Sequence, residues 1–287
     1  MRSVSPSDAC ELGNSQMRIC RSLLTFLGVC SVERDLTRIV LRSMVYGNHY
    51  AEKQPLRIGS RSKSLLNRRL YRKIGEYGSP GPKRVLEIGA GHGFFAEACT
   101  GHGDRYIGIE PNPVTFEQLH DRGFEVLQDS CPPIPFGDQE FDIVYAGYVF
   151  EYLESPPVAL ELLMEMKRVL KPGGQVAIVS SDFMRMKKEF WNVSYMTSFV
   201  TSERRFKQLA YDAGLTHREC LHFAGNLFGP TRYLAYLFYS FYSYRFLDAL
   251  FGQRSKLDSR FYKLRVTFPE GVLYLAENPG VDKDSPE

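Results

Sequence analysis

From residue 84 onward, short apolar runs alternate with longer stretches whose apolar residues recur every three or four positions, the pattern of strands alternating with helices. The predicted strands are 84–88, 105–109, 124–127, 141–146, 176–180, 216–223 and 270–277, with helices over 94–100 and 113–121. Ser155-Pro156 opens a further helix whose Leu162, Leu163, Met166, Val169 and Leu170 line one face, and Thr201 or Ser202 caps another that stops at Gly214. Ahead of the break Gly78-Ser79-Pro80-Gly81-Pro82, three helical patterns cover 14–29, 32–45 and 62–77. The expectation is an α/β fold: a seven-stranded, mostly parallel sheet with helices on both faces, preceded by a helical lead-in. Residues 1–80 would form a helical cap and 81–280 the sheet domain. Between the last two strands the chain inserts residues 226–265, including an aromatic helix over 231–251. In open α/β sheets ligands lie beyond the carboxyl ends of the parallel strands, and this insertion leaves on that side.

The strand at 84–88 runs into three alternating glycines, Gly89, Gly91 and Gly93. Residues without a Cβ allow a tight turn and leave room for a ligand against the backbone. A dinucleotide fingerprint wants glycine three places after the second one, where Phe94 stands, so the spacing points away from NAD. Glu110 closes the next apolar run, where a carboxylate can accept both hydroxyls of a ribose. No lysine follows Gly93 directly, as a phosphate-binding loop would require.

These segments, with Leu127–Cys131, Phe141–Tyr148 and Leu170–Gly174, occur in the order of the successive motifs of the class I, Rossmann-like S-adenosylmethionine (AdoMet) methyltransferases, which the chain resembles from about Pro82 to Ser181. The resemblance implies AdoMet as cofactor. It places Glu87 beneath the methionine amino group, Gly89, Ala90, Gly91 and Gly93 along the methionine and ribose, and Glu110, with Pro111 and Asn112, at the ribose. Asp129 would bind the adenine amino group with Ser130 and Cys131 beside the ring, and Gly147 and Tyr148 would touch the methionine end. Asp129 also reads as a turn residue before Pro132-Pro133, and Glu87 as a carboxylate near a helix start.

Methyl transfer from a sulfonium is an in-line displacement in which holding the nucleophile aligned is worth effective molarities of about 10⁵ M or more, so a dedicated base is optional. Where many relatives have histidine this chain has Tyr152, whose phenol suits orientation better than proton abstraction. Tyr152, Tyr148 and His92 are the catalytic candidates, with His49 and His222 as further lone histidines. Tyr46 and Tyr50, and Tyr233 and Tyr236 of the insertion, are candidates for a lid or substrate wall, aromatic faces being favourable to a sulfonium. The expected function is methyl transfer to oxygen or nitrogen of a small, apolar, aromatic or lipid-like molecule. Cleavage or cyclisation of AdoMet with release of methylthioadenosine, or AdoMet binding without catalysis, are the alternatives.

Charge changes this little: 36 Lys and Arg against 33 Asp and Glu give no argument for nucleic acid. The basic run Arg57, Arg61, Lys63, Arg68, Arg69, Arg72, Lys73 would suit an anionic substrate, a carrier domain or a lipid headgroup, or simply a solvated helix face. The helix over 231–251 reads as a buried lid more than as a membrane-surface element. Cys10, Cys20, Cys30, Cys99, Cys131 and Cys220 include no Cys-x-x-Cys pair and no histidine at zinc spacing, so reduced thiols, no metal and a cytoplasmic location are expected. The apolar stretch Ser22–Cys30 is short and lacks a cleavage pattern, which favours a buried helix over a leader.

Overall fold

A computed structural model describes residues 57–78, 80–187, 189–192, 194, 196–234 and 270–280. The expected helices 14–29 and 32–45, the aromatic helix beyond Leu234, and Tyr46, His49, Tyr50 and Tyr236 lie outside the described residues. In chain order come α1 (Arg57–Gly75), β1 (Arg84–Ile88), α2 (Phe94–Thr100), β2 (Arg105–Ile109), α3 (Pro113–Asp121), β3 (Val126–Leu127) and β4 (Phe141–Gly147). A 3₁₀ turn at Phe150–Tyr152 leads to α4 (Pro156–Val169), β5 (Leu170–Ser181), the single-turn helices α5 (Phe183–Met186) and α6 (Glu189–Asn192), and α7 (Glu203–Asp212). The remaining elements are β6 (Thr216–Ala224), β7 (Leu227–Phe228), a second 3₁₀ turn at Gly229–Thr231, and β8 (Glu270–Glu277).

The strands form one sheet in the order β3-β2-β1-β4-β5-β8-β6-β7. Pairs from β3 to β5 are parallel, β8 runs antiparallel between β5 and β6, and β7 is antiparallel to β6. The strand order reverses between β1 and β4, where a crevice opens beyond the carboxyl ends of a doubly wound sheet. Period-two alternation divides the core. Leu86, Ile88, Val144, Val176 and Ile178 pack with Leu162, Leu163 and Met166 of α4 and Phe206 of α7. Val85, Ile143, Tyr145, Ala177 and Val179 pack with Leu66, Leu70 and Ile74 of α1 and with Phe95 of α2, whose ring stacks on Tyr145 at 3.7 Å.

Three expectations change. The helix read as 62–77 begins at Arg57 and ends at Gly75. The strand read as 176–180 begins at Leu170, because the pairing shifts between Phe141 and Ile143 and carries Pro172, Gly173 and Gly174 as a bulge. Asn278 clasps that bulge: its Nδ2 donates to Leu170 O at 3.0 Å and its carbonyl accepts from Gly173 N at 2.8 Å. The sheet has eight strands rather than seven, since Gly225 at φ 55° turns the chain back into β7. A two-residue strand has no alternation to read. α1 is fastened to this hairpin: Arg69 donates to Asn226 O, and Asn226 Nδ2 donates to Ser62 Oγ at 2.8 Å.

Candidate active site

The glycine loop sits at the end of β1, pinned to the end of β2: Gly89 N and Ala90 N both donate to Ile109 O, at 2.8 and 3.2 Å. Gly89, Gly91 and Gly93 have φ of 72°, 53° and 75°, a region that L side chains disfavour. Space excludes a side chain as well at two of them. A Cβ on Gly89 would lie 2.7 Å from Val149 Cγ2, and one on Gly93 2.6 Å from Leu119 Cδ2. These glycines therefore serve packing within the protein as much as close approach of a ligand.

Glu110, 6% exposed, closes the loop from the β2 side. Its two oxygens accept from different amides, Oε2 from Gly91 N at 2.8 Å and Oε1 from Asn112 N at 2.9 Å. Burial raises its pKa against the pull of these two donors. Asn112 is occupied in turn as the cap of α3, its Oδ1 accepting from Val114 N and Thr115 N at 3.0 and 3.1 Å. Glu87 is 4% exposed and accepts from the Tyr106 hydroxyl at 2.6 Å. Burial pushes Glu87 well above the usual carboxylate range, and the charge of Glu110 adds to the rise. The loop thus lies over two buried acids that repel each other, a setting that favours a cationic ligand group.

Around them, Gly147 ends β4, and Tyr148 directly after it donates from N to Val179 O at 2.7 Å. Tyr148 itself holds φ 57°, a strained value for a side chain of its size. Asp129 is exposed, with Ser130 and the half-buried Cys131 next to it. Burial, followed by Asp129 and Glu165, moves the Cys131 thiol up to about 12. His92 is held below its ordinary pKa by burial and then by the charges of Lys63 and Arg122, and so stays neutral at physiological pH. Lys63 separates from the rest of the basic run: its Nζ lies 5.9 Å from the Phe94 ring, and burial lowers its pKa. Tyr152 ends the 3₁₀ turn, half-buried. Tyr233 is 55% exposed, with Arg232 5.1 Å from its ring.

Two acids that the sequence did not single out stand further along the same edge. Glu151, 4% exposed, accepts from Ser181 N at 2.6 Å through Oε1, while Oε2 has no hydrogen-bond partner among the described residues. Its carbonyl accepts from Ser198 N and Phe199 N, tying the 3₁₀ turn to the loop that returns from β5. Asp182 follows β5 and is 3% exposed. Its Oδ2 lies 2.9 Å from His222 Nε2, giving that histidine the partner that the sequence did not disclose. The two residues are 40 apart in the chain, so only the parallel course of β5 and β6 on either side of β8 could reveal the pair.

Comparison with known proteins agrees with this architecture. Residues 86–178 match the family model described as a methyltransferase domain. An uncharacterized methyltransferase of Mycobacterium sp. (strain KMS) is 36% identical over 107 residues, which is 36% of this chain and 40% of the relative. The match thus spans about two fifths of that relative's length. A structure of an S-adenosylmethionine dependent methyltransferase from Mesorhizobium loti superposes with a TM-score of 0.51 at 13% identity, over 72% of this chain and 96% of the other. A SAM-dependent methyltransferase from Thermotoga maritima gives 0.50 at 20% identity, over 77% and 91%. The likeness to a methyltransferase domain is thus carried by residues 86–178, and the likeness to the two solved structures is one of fold.

Proposed function

We propose that this protein transfers the methyl group of AdoMet to an oxygen or nitrogen of a small or lipid-like acceptor. The observation that carries the reading is the pairing of the glycine loop with two buried acids, Glu110 bonded through both oxygens to the loop and its flank, and Glu87 beneath it. AdoMet supplies an electrophilic methyl on a positively charged sulfur, and its ammonium and sulfonium charges complement acids that burial leaves uncompensated. Glu110 retains lone pairs beyond the two that Gly91 and Asn112 use, and these would accept the ribose hydroxyls. Glu87 would face the ammonium, with Tyr106 holding its carboxylate in place.

The exposed Asp129 would accept from the adenine amino group, with Ser130 and Cys131 beside the ring. Tyr148, fixed in its strained conformation at the end of β4, would border the reacting carbon, with Tyr152 one turn further on. As the acceptor's lone pair takes the methyl carbon, the carbon–sulfur bond would break with its electron pair returning to sulfur, and the acceptor's proton must leave. His92, whose pKa burial and then the charges of Lys63 and Arg122 lower, would take it, and Tyr152 would orient the acceptor.

The test is product analysis. Incubation with AdoMet and a panel of phenols, amines and lipid-like acceptors is expected to yield S-adenosylhomocysteine only when an acceptor is present. Methylthioadenosine formed from AdoMet alone would replace transfer by cleavage. No product together with no rise in thermal stability would overturn the reading altogether.

A further inference from the structure

On β6 the period of two sends Cys220 and His222 to the face that α7 covers, and Glu203 is the first residue of α7. One donor atom from each of Glu203, Cys220 and His222 lies within 4.8 Å of the other two. His222 Nε2 is 3.8 Å from Glu203 Oε2 and 2.9 Å from Asp182 Oδ2, so a second carboxylate borders the same nitrogen. We propose that Glu203, Cys220, His222 and Asp182 form a binding site for a borderline-soft divalent cation of the zinc class. Thiolate, imidazole and carboxylate are the donor types such an ion takes, and four of them close a tetrahedral shell.

A second observation points to the same place. Tyr274 pairs with Cys220 across β8 and β6, and its ring stacks between Phe206 and His217 at centroid distances of 5.7 and 5.1 Å. The residue is fully buried, and its hydroxyl has no hydrogen-bond partner among the described residues. A polar atom sealed from water, on the residue that pairs with Cys220, calls for a partner that the described residues do not supply. Lys207 Nζ, 2.7 Å from Glu203 Oε1, and Arg185 Nε, 3.8 Å from Asp182 Oδ2, now offset the acids. The Lys207 side chain is 44% exposed and can swing into solvent when a dication replaces its charge. The ion would cross-link the end of β5, the start of α7 and β6, and the Cys220 proton would pass to solvent on binding. This site stands independently of the methyl-transfer proposal.

The experiment uses the full chain, stripped with a chelator and titrated with Zn²⁺ by calorimetry and with Co²⁺ by absorbance. One equivalent should bind, with a thiolate-to-cobalt charge-transfer band and the intense visible bands of a tetrahedral ion. Cys220→Ser should remove the charge-transfer band. His222→Ala should weaken zinc binding by about 100-fold or more, beyond the roughly 10–100-fold that changes in an outer shell cost. An unchanged circular dichroism spectrum and a cooperative thermal unfolding transition certify that each variant is folded, and Glu203→Gln, at the half-exposed helix start, carries the test if His222→Ala is not. Absence of a bound equivalent, a weak octahedral cobalt spectrum, or binding that survives both Cys220→Ser and Glu203→Gln would overturn the proposal.

Discussion

The two halves of the sheet's carboxyl edge hold their buried acids by different means. At the ends of β1 and β2, Glu110 is fixed by backbone amides from residues 91 and 112, close in the chain and themselves fixed by turn geometry. At the ends of β5 and β6, Asp182 is fixed by its own turn at Met184 N and by the imidazole of His222. Amide donors cannot be exchanged by mutation without moving the backbone, whereas a side-chain partner can be replaced at one position. The first half is thus set by backbone geometry, and the second by side chains that single substitutions can replace.

The sharpest way to break this contrast is to add a methyl group to the first half. Gly89→Ala combines an unfavourable φ of 72° with a Cβ 2.7 Å from Val149 Cγ2, and should cost about 2–5 kcal/mol in denaturant unfolding. Val149→Ala should restore the part due to the clash and leave the part due to the backbone. Full stability in Gly89→Ala alone would contradict the geometry of the loop.

Proton linkage separates the halves next. Glu87 has its pKa raised in the free protein by burial and by Glu110, and a bound ammonium lowers it. In the window between these two values, binding expels a proton, so affinity for S-adenosylhomocysteine rises with pH by up to about tenfold per unit. Calorimetry in buffers of different ionisation heat should detect this release, and Glu87→Gln should flatten it. By the same linkage the ligand-free protein loses stability as pH climbs above the ordinary carboxylate range, because the folded state resists the charge. A flat pH profile for the parent protein would remove Glu87 from the site.

The smallest expected effect lies in the second half. Thr201 Oγ1 donates to Ser181 O at 2.6 Å in a fully buried setting, and Thr201→Val should cost about 1 kcal/mol without changing S-adenosylhomocysteine affinity. A loss of cofactor affinity there would show that the two halves are coupled.

The same contrast explains what the sequence disclosed. Gly89, Gly91, Gly93 and Glu110 are legible because their chemistry needs residue types at fixed short spacings, and strand alternation locates β1, β2 and β4 to within a residue. Asp182 with His222, and Cys220 with Glu203, are assembled by a crossover and an antiparallel strand, and no short window contains both partners. Glu151 escaped notice for another reason: it lies in a segment read for its tyrosine, and only the fold shows its carboxylate buried against Ser181. The bulge at Pro172–Gly174 lies outside the strand expected over 176–180 because glycine and proline punctuate turns more often than they interrupt strands.

Calorimetric titration of Glu110→Ala with S-adenosylhomocysteine tests the central claim most directly. The account predicts a loss of about 10- to 100-fold in affinity, the worth of roughly 1.5–3 kcal/mol for hydrogen bonds to a charged group, while His222→Ala binds as the parent does. Equal affinity in Glu110→Ala and the parent would contradict it.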